Sequence, residues 1–256
     1  MAEGFGADAD RYDRARPHYP AALAEAILAG LPGIDGVPGH SILDVGIGTG
    51  ISALPFRAAG ATVFGVEPDA RMAAIARERG FEVEQATFET WNPLGRTFDA
   101  VIAGQSWHWV DPVLGARRAA AVLPMGGRLA LFWNVGDPPA DLAADFAERY
   151  RQVDTGLPFT PWAAPQRDGY GAFLDKAADG IDQAGGFGPP ERLRLDWQQT
   201  MTKDDFLEQV PTAGGHQLIA PEKLARLLAS LGAAVDAVGG RFTMSYATLA
   251  LIASRN

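Results

Sequence analysis

The stretch "SILDVGIGTGIS", residues 41–52, decides the fold. Its first half is a short apolar run of strand type. Its second half places glycines at 46, 48 and 50, so the backbone turns tightly there and leaves room beside it. The spacing sorts the possible ligands. A dinucleotide fingerprint needs a glycine or alanine three positions after the second glycine, and that position is Ile51. A Walker-type phosphate loop ends in Gly-Lys-Ser/Thr, and no lysine lies nearby. What remains is a loop passing close to a ligand laid across the strand ends, or a tight turn with solvated acidic caps. Asp44, at the end of the strand, is a carboxylate placed where an ammonium could be held. Glu67 follows roughly 20 residues later, at the end of the next strand, where an acid can grip ribose hydroxyls.

Working outward, the chain alternates helix and strand. Helical spacing covers 20–31, 51–60, 69–80 and 113–123; strand-like runs cover 41–45, 61–68, 81–88, 97–104 and 126–134. Gly and Pro break the chain at 33–40. This alternation predicts an α/β fold, a parallel sheet with helices on both faces, and the unbroken apolar runs suit strands covered on both sides. After Asn134 the pattern changes. Residues 135–190 read as an insertion with helices of its own. A strand at 191–201, helices at 203–210 and 221–235, and a last strand at 240–254 follow. The expected organisation is one domain over 1–256: an N-terminal segment (1–40), a cofactor-binding core (41–134), the insertion (135–190) and C-terminal strands and helices (191–256).

Composition narrows the function classes. The 256 residues are 47% hydrophobic and carry a net charge of −9, with three lysines and scattered arginines, which disfavours a nucleic-acid partner. There is no cysteine, so disulfides, thiolate metal sites and cysteine nucleophiles are excluded. The N-terminus has no basic region followed by an apolar core, and no apolar run approaches a membrane span, so a cytoplasmic protein with no membrane partner is expected. The Ala-, Gly- and Arg-rich composition is compatible with a high-GC bacterial source.

"ILDVGIGTG" followed by "GVEPDARM" resembles the motif pair of class I S-adenosylmethionine-dependent methyltransferases. The likeness continues through "ATFETW", "FDAVIAGQSWHWVD" and "LPMGGRLALFWN", covering residues 5–134. Upstream, "FGADADRYDRARPHYP" is similar to the N-terminal motif of the small-molecule subgroup that includes trans-aconitate-type and ubiquinone-biosynthesis-type enzymes. The resemblance implies a Rossmann-like seven-stranded sheet with an antiparallel last strand, and S-adenosylmethionine as cofactor, leaving as S-adenosylhomocysteine. Carried over, Gly46, Gly48 and Gly50 would line the methionine and ribose side, and Glu67, followed by Pro68, would bind the ribose hydroxyls. Met72, Thr87, Phe88 and Glu89 would surround the adenine, Gln105 would face the methionine part, and Tyr12 and Arg16 would reach its carboxylate.

Methyl transfer from a sulfonium needs positioning more than acid–base help, and a base only where the acceptor loses a proton. The candidate base is His108 in "GQSWHWVDP"; the alternative is that it caps the next helix or bonds a carbonyl between two tryptophans. Candidate acceptor contacts are Trp107, Trp109, His18, Tyr19, Asn134 and His216. "QVPTAGGHQLIAPE" departs from the subgroup's pattern, so substrate identity does not carry over. The expected partner is a small-molecule methyl acceptor, with oxygen ahead of nitrogen or carbon as the accepting atom. A non-catalytic S-adenosylmethionine-binding regulatory or partner protein is the alternative. Oligomeric state is not legible.

Overall fold

The structure is a computed structural model describing residues 8–33 and 39–256. Residues 5–7 of the N-terminal motif and 34–38 of the Gly/Pro break lie outside the described residues. Seven strands form one sheet: β1 (Ser41–Val45), β2 (Thr62–Val66), β3 (Glu82–Glu84), β4 (Ala100–Gly104), β5 (Arg128–Asp137), β6 (Glu191–Thr202) and β7 (Arg241–Ser254). Their order is β3-β2-β1-β4-β5-β7-β6. The pairings from β3 through β5 are parallel, and β7 runs antiparallel to both β5 and β6. This is the sheet that the motif resemblance implies. The order reverses at β1 and β4, whose carboxyl ends open a crevice there, the usual ligand position in such sheets.

Alternation along β1 explains how the sheet is sandwiched. Leu43 and Val45 point into a core shared with Val101, Leu131 and Trp133 and closed by α5 (Pro112–Val122) and α7 (Gln166–Ala184). Ile42 points the other way, into a core with Val63, Ile102 and Phe132 under α2 (Ala21–Leu28), α3 (Leu54–Ala58) and α4 (Ala70–Glu78). Side chains of period two and helices on both faces make the continuous apolar runs necessary.

The stretch 135–190 behaves as two different pieces. β5 takes its first three residues. Helix α7 supplies Leu174, Ala177 and Ile181 to the main core, so it is the cover of the sheet. Helix α6 (Ala140–Val153) instead joins α8 (Lys203–Gln209), α9 (Pro221–Ala237) and the far ends of β6 and β7 in a third core containing Leu142, Phe146, Tyr150, Phe206 and Phe242. Two further elements differ from the sequence reading. β3 is three residues long because the chain turns at Thr87–Trp91, where Trp91 N donates to Thr87 O at 2.9 Å. Residues 9–15, unassigned from sequence, form α1 (Ala9–Ala15), capped by Asp8, which accepts from Arg11 N at 3.1 Å. No helix among the described residues is long and apolar enough to cross a membrane.

Candidate functional site

The glycine loop sits where the sheet crevice opens. Gly46 has φ +68°, and a Cβ there would lie 2.6 Å from Ser106 Cβ, so only glycine lets the loop pass under β4. Gly50, at φ +93°, serves packing: its Cβ would lie 2.7 Å from the Phe81 ring. Glu67 is buried at the end of β2, and its two oxygens accept from Gly48 N and Asp69 N, each at 2.9 Å. Each oxygen keeps acceptor capacity for a second donor, which is the arrangement a vicinal diol needs. Burial raises the Glu67 pKa, and the two backbone bonds oppose that rise.

Asp44 lies one layer behind the wall. It is fully buried, accepts from Ser52 Oγ at 2.6 Å through Oδ2, and has no hydrogen-bond partner at Oδ1. Burial raises its pKa to about 7. A buried, under-satisfied carboxyl close behind this loop fits a cation arriving there.

A cavity of about 1050 Å³ runs from this loop to the third core. Its wall includes Gly46, Gly48, Glu67, Pro68 and Met72, then Thr87, Phe88 and Glu89. Glu89 Oε1 accepts from Asp111 N at 3.1 Å. Gln105 also lines it, at a positive φ of 56°, donating through Nε2 to Asn134 O at 2.9 Å. From the N-terminal side come Tyr12, Arg16 and Tyr19. The Arg16 guanidinium lies 5.0 Å from the Tyr12 ring centroid and donates to the Thr212 carbonyl; its Nε is buried without a hydrogen-bond partner.

The remaining candidates divide. His108, Trp109, Asn134 and His216 line the cavity. Asn134 is structural as well: it accepts from Thr248 Oγ1 at 2.6 Å and donates to the His18 carbonyl at 3.2 Å, tying the N-terminal segment to β5. His18 contributes that carbonyl while its side chain is exposed and away from the cavity wall. Trp107 is buried behind the wall, its ring 6.3 Å from Phe88 and tight against Gly115. Asp44 and Gly50 likewise stand behind the lining rather than in it.

His108, the candidate base, has its tautomer and basicity set by its surroundings. Trp133 Nε1 donates to His108 Nδ1 at 3.4 Å, so the neutral ring carries its hydrogen on Nε2 and offers a donor there. Burial also lowers its pKa to about 4. His216 is not a solvated loop residue. It is buried, its Nε2 lies 2.7 Å from Tyr150 Oη, and burial lowers its pKa to about 4. Tyr150 and Tyr170 escaped the sequence reading, as did the Gln209–Tyr246 pair, whose polar ends meet at 3.3 Å. Tyr150 follows Leu142 and Phe146 at intervals of four, a spacing that reads only as a helix's core face.

Comparison with known proteins bears on this geometry. Residues 43–131, from β1 to within β5, match the family described as "Methyltransferase domain". Uncharacterised methyltransferases of Mycobacterium bovis and Mycobacterium tuberculosis are 35% identical over 140 residues, which is 54% of this chain and 54% of theirs. The matched stretch thus spans about half the length of these relatives. A solved structure assigned as a type II methyltransferase, from Anaeromyxobacter dehalogenans, superposes with a TM-score of 0.62 at 22% identity, covering 94% of this chain and 97% of that one. Residues 43–131 thus match a methyltransferase domain, and the chain has the fold of that solved methyltransferase. The same methyltransferase fold recurs in phosphoethanolamine N-methyltransferase 2 of Haemonchus contortus, solved with phosphomonomethylethanolamine and S-adenosylhomocysteine. It superposes at TM-score 0.50 and 15% identity, covering 96% of this chain and 57% of that one.

Proposed function

We propose that this chain binds S-adenosylmethionine and transfers its methyl group to a small-molecule acceptor, with oxygen ahead of nitrogen or carbon as the accepting atom. The observation that carries the reading is Glu67, whose carboxylate is fixed by Gly48 N and Asp69 N at the mouth of a cavity continuing well past the loop. The methyltransferase domain match and the neighbour solved with S-adenosylhomocysteine support the same cofactor. The donor set fits it. Glu67 would take the ribose hydroxyls, Met72 and Phe88 the adenine, Arg16 the carboxylate, and Asp44 would favour the ammonium from behind Ser52.

Bound there, the cofactor supplies a methyl group activated on a sulfonium. The chain's own part is positioning, which can supply most of the acceleration of an in-line displacement. Gln105, pinned by Asn134, holds the wall between the cofactor loop and the acceptor side. His108 presents its Nε2–H to the cavity and orients an acceptor by donating to it. The wall contributed by α6 and the 157–162 loop shapes the acceptor pocket, within one domain over the whole chain. The acidic net charge supports a small acceptor over a nucleic acid.

The test is calorimetric titration with S-adenosylmethionine, S-adenosylhomocysteine and NAD on wild type and Glu67→Ala. The expected result is micromolar binding of the two sulfur compounds only, weakened about tenfold or more in the variant by loss of a charged hydrogen-bond acceptor. Equal affinity in the variant, or preference for NAD, refutes the reading.

A further inference from the structure

The two ends of the cavity differ in charge. On the cofactor side lie Glu67 and Glu89, with Arg16 beyond them. The rest of the wall is supplied by α6, residues 157–166 and 169–173, residues 206–218 and the end of β7, and among the described side chains of these segments no Asp, Glu, Lys or Arg lines it. Arg16, the one lining Lys or Arg among the described side chains, stands at the cofactor end, held by the Thr212 carbonyl and the Tyr12 ring. An ionic acceptor would therefore lose its hydration without meeting a counter-charge, which is strongly unfavourable.

The rim adds a second, independent observation. Large apolar side chains are seldom left exposed in one place, yet Trp109, Phe159, Phe173 and Leu218 are 43%, 55%, 39% and 78% exposed, and all four line this cavity. Deeper in, the polar groups come as neutral pairs. Tyr150 Oη meets His216 Nε2 at 2.7 Å, and Gln209 meets Tyr246 Oη at 3.3 Å. Whichever of Tyr150 and His216 donates, the tyrosine hydroxyl keeps one valence for a ligand: an acceptor lone pair if it donates to the ring, its own hydrogen if it accepts.

We propose that the acceptor side of the cavity takes an uncharged, largely apolar molecule that enters across the Trp109–Phe159–Leu218 rim and sets its single polar group against the Tyr150–His216 pair. Calling this molecule the methyl acceptor rests on the methyltransferase reading above; the charge preference of the cavity does not.

The experiment titrates the full-length protein by calorimetry with 4-pentylphenol, 4-(4-hydroxyphenyl)butanoate and 4-(4-aminobutyl)phenol, which match in size and differ in charge, with and without saturating S-adenosylhomocysteine. The neutral phenol is expected to bind about tenfold or more tighter than either ion. Phe159→Asp, on the exposed rim, should weaken 4-pentylphenol several-fold while leaving S-adenosylhomocysteine affinity intact. Tyr150→Phe should weaken 4-pentylphenol but not pentylbenzene, which has no hydroxyl to place. Equal or tighter binding of an ion overturns the proposal, as does an S-adenosylhomocysteine-competent protein that binds none of the three. Phenol binding with the expected preference in a protein that ignores S-adenosylhomocysteine would overturn the methyltransferase reading and leave this proposal standing. Silence toward every ligand would overturn both.

Discussion

Replacing Asp44 by Asn should make the ligand-free chain more stable at alkaline pH. Asp44 is fully buried with one oxygen unpartnered, and its pKa stands at about 7 against 3.8 in the unfolded chain. A carboxyl whose folded pKa is raised contributes stability that is complete below about pH 4 and is lost as pH rises through about 7. Three units amount to about 4 kcal/mol of lost stability above pH 8. Asn keeps a partner for Ser52 and, like Asp, leaves one polar atom unsatisfied, so that cost of about 1–3 kcal/mol is common to both chains. The net gain is thus about 4 kcal/mol at pH 8 and about 1.5 kcal/mol at pH 5, where the folded carboxyl is protonated but the unfolded one is already largely ionised. In a chain of this length the gain at pH 8 corresponds to a rise in melting temperature of roughly 8–16 °C. Thermal melts of both proteins at pH 5 and pH 8, followed by circular dichroism, read it directly. The same substitution should lower S-adenosylhomocysteine affinity, because it removes the negative charge that favours the ammonium. An Asn variant no more stable at pH 8, or equally stabilised at both pH values, refutes the argument that this carboxyl is kept at a cost for the sake of a cation.

Two further outcomes follow from the same geometry. His216 has its pKa lowered from 6.5 to about 4, so the unfolded chain binds its proton first and stability falls as pH drops from about 6.5 toward 4, by up to about 3 kcal/mol; His216→Asn should flatten that part of a plot of urea midpoint against pH, and an unchanged slope would show that this imidazole is not held neutral. Gly50→Ala puts a Cβ 2.7 Å from the Phe81 ring at a φ of +93°, and should destabilise by about 2–4 kcal/mol in urea unfolding, partly recovered by Phe81→Leu; a loss under about 0.5 kcal/mol would mean that the loop shifts freely and is not fixed by packing.

The cofactor half of the site was legible because backbone geometry constrains sequence there. Gly46 cannot carry a Cβ under Ser106, Glu67 must end a strand to face its two N–H donors, and such demands leave fixed residues at fixed spacing. The acceptor half left no such trace. Tyr150 and Phe206 sit on helix faces whose spacing reads as core, and both do pack in the third core while also bordering the cavity, so periodicity alone does not separate the two roles. His108 shows the remaining limit: "WHW" placed it correctly at the crevice, but its proton acceptance is decided by Trp133, 25 residues away in sequence and on another strand. Asn134 lines the cavity while its amide is shared with Thr248 and the His18 carbonyl, bonds that no local pattern announces.

Those bonds around Asn134 also explain how chain from both ends comes to share one cavity. Trp197 Nε1 donates to Thr248 Oγ1 at 3.0 Å, Thr248 donates to Asn134, and Asn134 donates to the His18 carbonyl, so β6, β7 and β5 together fix the N-terminal segment. Two residues earlier, Arg16 bonds the Thr212 carbonyl in the turn after α8, joining the same segment to the third core. Helix α1 itself buries only Ala9, and its ties to the rest of the molecule include the ion pairs of Asp13 with Arg79 and of Arg11 and Arg14 with Glu208. Polar ties of this kind contribute about 0–1 kcal/mol each where they are exposed and more where they are buried. The wall that Tyr12 and Arg16 give the cavity is therefore set by directional bonds, with little apolar burial behind it. Position, rather than bulk stability, is what the carboxylate contact proposed for Arg16 requires, and the ten-residue β5–β7 pairing anchors it through Asn134 and Thr248.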